Sequence, residues 1–247
     1  MAELVDALAS GASGGNPVEV QVLLSAPFLE CKNVEHDIYY LMTEIHLYKN
    51  DLPDTVTFSG SVAVDTETMG LKPYRDRLCV VQLSGGDGVA HLVQFEKGKY
   101  DAPNLKKLFT DPDIEKIFHF ARFDLQVLKY YLKIEVAPVY CTKMASKLCR
   151  TFTERHGLRE LCSELLDIEL NKQKQSSDWG AKEISKEQME YAASDVLHLH
   201  ELKAKLDVMI EREGRVDILK SINNFLNTRA DLDRLGWRES DIFSHSG

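Results

Sequence analysis

From Ser61 onward the chain alternates short apolar runs with amphipathic stretches in a regular order. Val62 and Val64 flank Ala63 just ahead of an acidic string, a pattern that predicts a short strand. Leu78 to Leu83 predicts a second strand and His91 to Phe95 a third, with Ser84-Gly85-Gly86-Asp87-Gly88 as the turn between them. That turn lacks the Gly-Lys-Ser/Thr ending of a nucleotide-binding loop, so it reads as a hairpin. A helix is expected over 104–109, a fourth strand over 114–118, and a helix over 123–132 with Leu125, Val127 and Leu128 inward. Val139-Tyr140-Cys141 predicts a fifth strand, and helical periodicity follows over 142–148, 158–166, 186–213 and 216–226. Hairpin strands followed by alternating helices and strands imply an α/β fold. The expectation is a mixed five-stranded sheet flanked by helices, with a helical C-terminal part.

Residues 1–41 read differently. Gly11 to Pro17 is turn-rich and would interrupt any helix begun at Ala2, while Val18 to Leu24 is an apolar run with no partner in the pattern. The segment resembles the conceptual translation of a transfer-RNA gene upstream of a frame starting at Met42. The other reading is a disordered tail. Either way an N-terminal extension, 1–41, precedes the folded domain, 42–247.

The 247 residues are 44% hydrophobic and 28% charged, as in ordinary globular proteins. No apolar window reaches the ~18 residues of a spanning helix. No Lys or Arg precedes Lys32, which argues against a secretory signal and for a cytoplasmic protein with no membrane partner. Five scattered cysteines form no Cys-x-x-Cys pair and read as reduced thiols filling core space. A net charge of −9 is unlike a protein that coats DNA. It favours gripping a short end over long, salt-sensitive tracking of a phosphate backbone.

Three strings carry the chemistry: Asp65-Thr66-Glu67, His119 through Asp124, and Tyr191 through Asp195. Asp-x-Glu occurs three times, at Asp65/Glu67, Asp113/Glu115 and Asp167/Glu169, and context separates the copies. Only the first ends a strand, where residues i and i+2 point to one side and can reach one ion together. Asp124 is expected in the first turn of a helix, near the end of the fourth strand. Tyr191 and Asp195 are i and i+4 on a helix and share a face, separated by small residues. Four carboxylates and a phenol can hold two hard divalent cations about 4 Å apart beside a phosphodiester.

In that order the strings resemble the ribonuclease D-type 3′–5′ exonucleases, the tyrosine (DEDDy) branch of the four-carboxylate nucleases. Gln175-Ser176-Ser177-Asp178-Trp179 is a fourth match, and the likeness is greatest to the short nanoRNase C type, extending through Thr228-Arg229-Ala230 and Asp241-Ile242-Phe243. The resemblance implies a ribonuclease H-like fold and two Mg²⁺ or Mn²⁺ ions. Asp65 would bridge them, Glu67 and Asp195 would complete one site, Asp124 would serve the other through water, and Tyr191 would position the nucleophile. Leu71 matches a leucine that wedges between two bases in enzymes for very short RNA, and Thr66 and His119 would also meet substrate. His119-Phe120 stands where many relatives have His-Asn. No second helical RNA-binding domain of the ribonuclease D kind follows the core. The implied activity is therefore release of 5′-mononucleotides from short oligoribonucleotides, ending with dinucleotides.

Stable-RNA 3′ processing and DNA 3′–5′ exonuclease activity remain open within the same chemistry. A non-catalytic binding module would be marked by a missing ligand, and none is missing. Among the basic residues flanking the core, Lys143, Lys147, Arg150, Arg155, His156 and Arg159 are candidates for a terminal phosphate. The resemblance also implies a homo-oligomer, up to an octameric ring, with Leu235-Gly236-Trp237 as a candidate contact. Deleting residues 1–41 is expected to leave folding and hydrolysis intact, as read by circular dichroism and RNA turnover. Loss of either would make the segment part of the working protein.

Overall fold

A computed structural model of the chain describes residues 20–23, 44–170 and 177–245. Seven strands form one sheet: β1 (Val20–Leu23), β2 (Glu44–Lys49), β3 (Ser61–Thr68), β4 (Leu78–Ser84), β5 (Val89–Gln94), β6 (Glu115–Phe118) and β7 (Val139–Cys141). Their order is β1-β2-β5-β4-β3-β6-β7. The β3–β4–β5 meander is antiparallel, whereas β2 joins β5, β6 joins β3 and β7 joins β6 in parallel. The mixed sheet expected from the pattern is present, with two strands beyond the expected five. β2 was not among the expected strands, although Ile45 and Leu47 alternate onto the α5 side of the sheet and Tyr48 onto the other; its parallel pairing with β5 adds it to the sheet. β1 lies antiparallel to β2, so the Val20–Leu23 part of the apolar run at Val18 to Leu24 has a partner. The rest of residues 1–41 lies outside the described residues.

β4 is buried along its whole length, Gln82 and Ser84 included, because both faces of the sheet are covered. One face packs Val62, Val64, Val81 and Leu83 against α1 (Pro103–Thr110), α2 (Ala121–Leu132) and the middle of α7 (Val216–Arg234). The other packs Ala63, Val80 and Ile117 against α3 (Thr142–Cys149), α5 (Lys186–Leu197) and α6 (Leu199–Arg212). A short α4 (Leu158–Leu161) runs into one π-type turn over Cys162–Leu166. The helix expected over 186–213 is two, broken at His198. The break lets α5 lie across β3 and β4 while α6 turns onto α3 and β6. A capping box at Ser185 and Gln188 starts α5. Cys79, Cys141, Cys149 and Cys162 are free and buried, filling core space as expected; Cys31 lies outside the described residues.

Two polar fixtures hold the frame. Lys116 is fully buried and donates to the carbonyls of Asp111, Ile114 and Ala137 at 2.7, 2.6 and 2.5 Å, closing the loops around β6. Asp233 on α7 accepts from Arg122 Nε and Nη2 (both 2.6 Å), Arg229 Nη2 (2.7 Å) and Gln126 Nε2 (2.9 Å), tying α7 to α2. Its side chain is inaccessible to solvent, while Arg122 and Arg229 are partly exposed. Asp233→Ala leaves two guanidinium groups without their shared partner and is expected to cost about 3 kcal/mol. Urea unfolding checks this; an unchanged midpoint would show that the hub contributes nothing net.

Candidate active site

Alternation along β3 divides the first acidic string between the two faces of the sheet. Asp65 and Glu67 share the side of Ala63, which faces α5; Thr66 shares the side of Val64, which faces α2. Ala192 and Ala193, buried on α5, allow that helix close to the sheet, so Tyr191 and Asp195 come down beside β3. Carboxylate oxygens of Asp65, Glu67 and Asp195 all lie within 4.8 Å of one another. Asp124 approaches from the α2 side and is nearly inaccessible. It is not part of that cluster of three; Thr66 Oγ1 donates to its Oδ1 at 2.6 Å and holds it in place. A register shift between Glu67 and Thr68 ends the regular pairing where the site begins.

The electrostatics are those of like charges forced together. The carboxylates of Asp65, Glu67 and Asp195 open onto a cleft rather than bulk water. Loss of solvation pushes Asp65 well above the usual carboxylate range, and repulsion from Asp124, Asp195 and Glu67 adds to it. Desolvation, then Asp195 and Asp124, raises Glu67 to about 9. Desolvation raises Asp195 to about 7, against a hydrogen bond donated by the Tyr191 hydroxyl. It raises Asp124 to about 7, against the bond from Thr66. Tyr191 itself is driven far above the ordinary phenol by burial and then by Asp195, so it stays protonated. Desolvation of the half-buried His119 ring, and then the neighbouring Lys143, push it down to about 3, so it is neutral; its Nδ1 is 2.9 Å from Thr142 Oγ1.

These groups line a cavity of about 780 Å³. Of the residues singled out in the sequence, Asp65, Thr66, Glu67, Leu71, His119, Tyr191 and Asp195 line it, and Asp124 lies beneath it. The competing Asp-x-Glu copies are elsewhere: Asp113 sits in the turn after Asp111, and Glu169 pairs with Arg159 beyond the π-type turn. Among the basic candidates, Lys143 and Arg159 reach the cavity. Arg150 is instead buried on Glu164, and His156 bonds to Ser146. Met69 and Glu160, which were not singled out in the sequence, also line the cavity, as does Phe123 from the second string. Trp179 does so with its ring 6.1 Å from that of Tyr191, and its string was legible only by resemblance.

Phe120 takes the left-handed conformation, φ 68°, immediately before α2. Asparagine adopts that region readily and a bulky side chain does not, which gives position 120 a conformational constraint. Lys143 Nζ rests 4.6 Å from the Phe120 ring.

Three desolvated carboxylates converging on one point suit a hard divalent cation, which neutralises them and takes oxygen ligands. A sequence model for 3′–5′ exonucleases matches residues 46–211. The chain belongs to that family. Within it the chain is similar to NrnC of Brucella melitensis, at 57% identity over 82% of this chain and 98% of that one, with a TM-score of 0.79. Brucella melitensis NrnC with bound Mg²⁺ (55%, 82% and 99%, 0.78) and NrnC bound to pGG (56%, 82% and 98%, 0.78) are matched as well. Ribonuclease D of Gluconacetobacter diazotrophicus is 36% identical over 160 residues, 65% of this chain and 40% of that protein. The chain thus spans about two fifths of the length of the curated ribonuclease D relatives it matches.

For a metal-dependent 3′–5′ exonuclease of this ribonuclease D and NrnC type, the raised carboxylates have a consequence for stability. An unfolded carboxylate titrates near about 4. Between there and the folded values of about 7 for Asp124 and Asp195 and about 9 for Glu67, the folded state holds more protons than the unfolded. The stability of the metal-free protein should therefore fall as pH rises through that window. Mg²⁺ replaces the protons, so the melting temperature should rise more on adding Mg²⁺ at about pH 8 than at about pH 5. An equal Mg²⁺ effect at both would count against the cluster as the cation site.

Proposed function

We propose that the protein hydrolyses RNA from the 3′ end to 5′-mononucleotides and prefers short oligoribonucleotides and dinucleotides. The observation that carries this reading is the convergence of Asp65, Glu67 and Asp195 in the same cavity that receives the exposed side chain of Leu71. The likeness to Brucella melitensis NrnC bound to pGG supports a dinucleotide as substrate. Asp65, Glu67 and Asp195 would together hold one divalent cation, and Asp65 would also serve a second, toward which Asp124 stands behind Thr66. When bound, Mg²⁺ or Mn²⁺ would offset the charge of the phosphodiester and lower the pKa of a water so that its deprotonated form can attack.

The protein's own groups do the positioning. Tyr191 remains a phenol, so it orients the attacking water by hydrogen bonding rather than by taking its proton. The leaving group is the 3′ oxygen of the shortened RNA, and the nucleotide released keeps the phosphate. His119 stays neutral and offers a hydrogen-bonding wall to the substrate, not a proton shuttle. Leu71 stands where it can separate the two terminal bases. Lys143 and Arg159, which line the cavity, supply positive charge for the phosphates. Leu235, Trp237 and Phe243 expose apolar surface at the C-terminal end, which supports assembly with further copies of the chain.

A time course on 5′-labelled RNAs, from the dinucleotide to chains several times longer, tests the reading alongside DNA of the same sequences. Dinucleotides should not accumulate and DNA should be cut more slowly; accumulating dinucleotides would overturn the preference, and equal rates on DNA would make this a general exonuclease. Asp195→Ala should abolish turnover while sparing the fold. Tyr191→Phe should lower kcat by about 10- to 100-fold with little change in KM, as expected when a nucleophile loses its orientation.

A further inference from the structure

The segment between β3 and β4 brings Leu71 to the catalytic cavity with 77% of its surface exposed. An apolar side chain standing free in this way has no packing of its own to fix its direction, so the backbone on either side must do it. That backbone is unusually well tied. Thr68 Oγ1 donates to the Gly70 carbonyl at 2.5 Å, and Met69 N–H donates to the Arg77 carbonyl at 3.0 Å, closing the base of the loop. Beyond the apex, the N–H groups of Arg75 and Asp76 donate to the Lys72 carbonyl at 2.9 and 2.8 Å. Tyr74 meets Tyr130 edge-on at 5.0 Å, which ties the outer arm of the loop to the surface of α2.

Asp76 joins the two sides of the apex. It is only 7% exposed although it lies in a surface loop. Its Oδ2 accepts from the Lys72 N–H at 3.0 Å, on the C-terminal side of Leu71. Arg75 donates to both oxygens, Nε to Oδ1 at 2.5 Å and Nη2 to Oδ2 at 2.8 Å. On the N-terminal side, a β-carbon added at Gly70 would lie 2.5 Å from Asp76 Oδ2 and 3.0 Å from its Cγ. The carboxylate therefore occupies the space that a side chain at position 70 would need. Gly70 has no left-handed φ, so an alanine there would meet no backbone strain and would have to displace the Asp76 carboxylate.

We propose that Asp76 is a positioning residue for substrate length: seated against Gly70 and bonded to the Lys72 N–H, it fixes Leu71 at the angle that separates two bases. This rests on the reading of Leu71 as the wedge. A pre-set wedge loses little freedom on binding, whereas a loose one must be ordered at every encounter. The difference weighs most on a dinucleotide, which offers only two bases. A longer RNA has further contacts through which to compensate.

The test compares kcat/KM for 5′-phosphorylated diguanylate RNA with that for a longer RNA, in the full chain with Mg²⁺. Asp76→Ala should lower the dinucleotide value relative to the longer RNA by about tenfold, in the same direction as Leu71→Ala. Asp76→Asn keeps an oxygen for the Lys72 N–H and should restore most of the ratio. If the role were merely the ion pair with the exposed Arg75, Asn would fail like Ala, and that result would overturn the proposal. Gly70→Ala should cost the same selectivity when Asp76 is present, and nothing further in the Gly70→Ala/Asp76→Ala double variant. Additive losses in the double variant would also overturn it. A Leu71→Ala enzyme with an unchanged ratio would sink the wedge reading itself. A changed Leu71→Ala ratio with an unchanged Asp76→Ala ratio would sink only the role of Asp76.

Discussion

Strand and helix geometry place Asp65, Glu67 and Asp195 so that their charges crowd one another and lose water, and the rest of the molecule is organised to make that arrangement hold. Strand period two puts the first pair on one face, and helix period four brings Tyr191 and Asp195 down together. Neither element can relax the repulsion alone, because each side chain leaves a backbone already committed to the sheet or to a packed helix. The result is a set of carboxylates that hold protons well above their ordinary range until a cation replaces them. Affinity for the cation and instability without it have the same physical origin.

The surrounding frame serves this crowding in two ways. On one face, small residues let α5 approach β3; on the other, α2 brings Asp124 in behind Thr66, out of the cluster of three but near enough to raise Asp65 and Glu67. The position of α2 is in turn held from α7 through Asp233, Arg122 and Gln126. The C-terminal helix is therefore not an appendage to the catalytic sheet, since it fixes the helix on which a carboxylate of the site is carried.

The rim of the cavity at Leu71 is built from different material. The loop that carries Leu71 has little core of its own. It is shaped by hydrogen bonds to its backbone, by the carboxylate of Asp76 filling the space beside Gly70, and by an edge-on aromatic contact. Desolvated charge defines the acidic cluster, and backbone bracing defines the loop of Leu71. The two devices meet in one cavity without sharing a residue.

Much of this was legible in the chain. The meander, the crossover strands and most helices follow from local periodicity, and i,i+2 and i,i+4 spacings are short-range geometry that any correct element assignment carries with it. The same holds for the choice of Asp65/Glu67 over the two other Asp-x-Glu copies, because only that copy ends a strand. The tertiary structure decided what depends on contacts between distant segments. β2 is a short run whose Ile45 and Leu47 alternate onto one face, too brief to single out alone, and it joins the sheet because β5 pairs with it. The long helical pattern breaks at His198 because its two halves pack on different neighbours. Arg150, a candidate for phosphate, is spent on Glu164. Asp124 belongs to the site from the opposite face, and Asp76 reaches Gly70 across a loop. Periodicity records what each residue does to its own backbone. Which side chains then share a space is set by how the sheet and helices close on one another, and no local pattern encodes that.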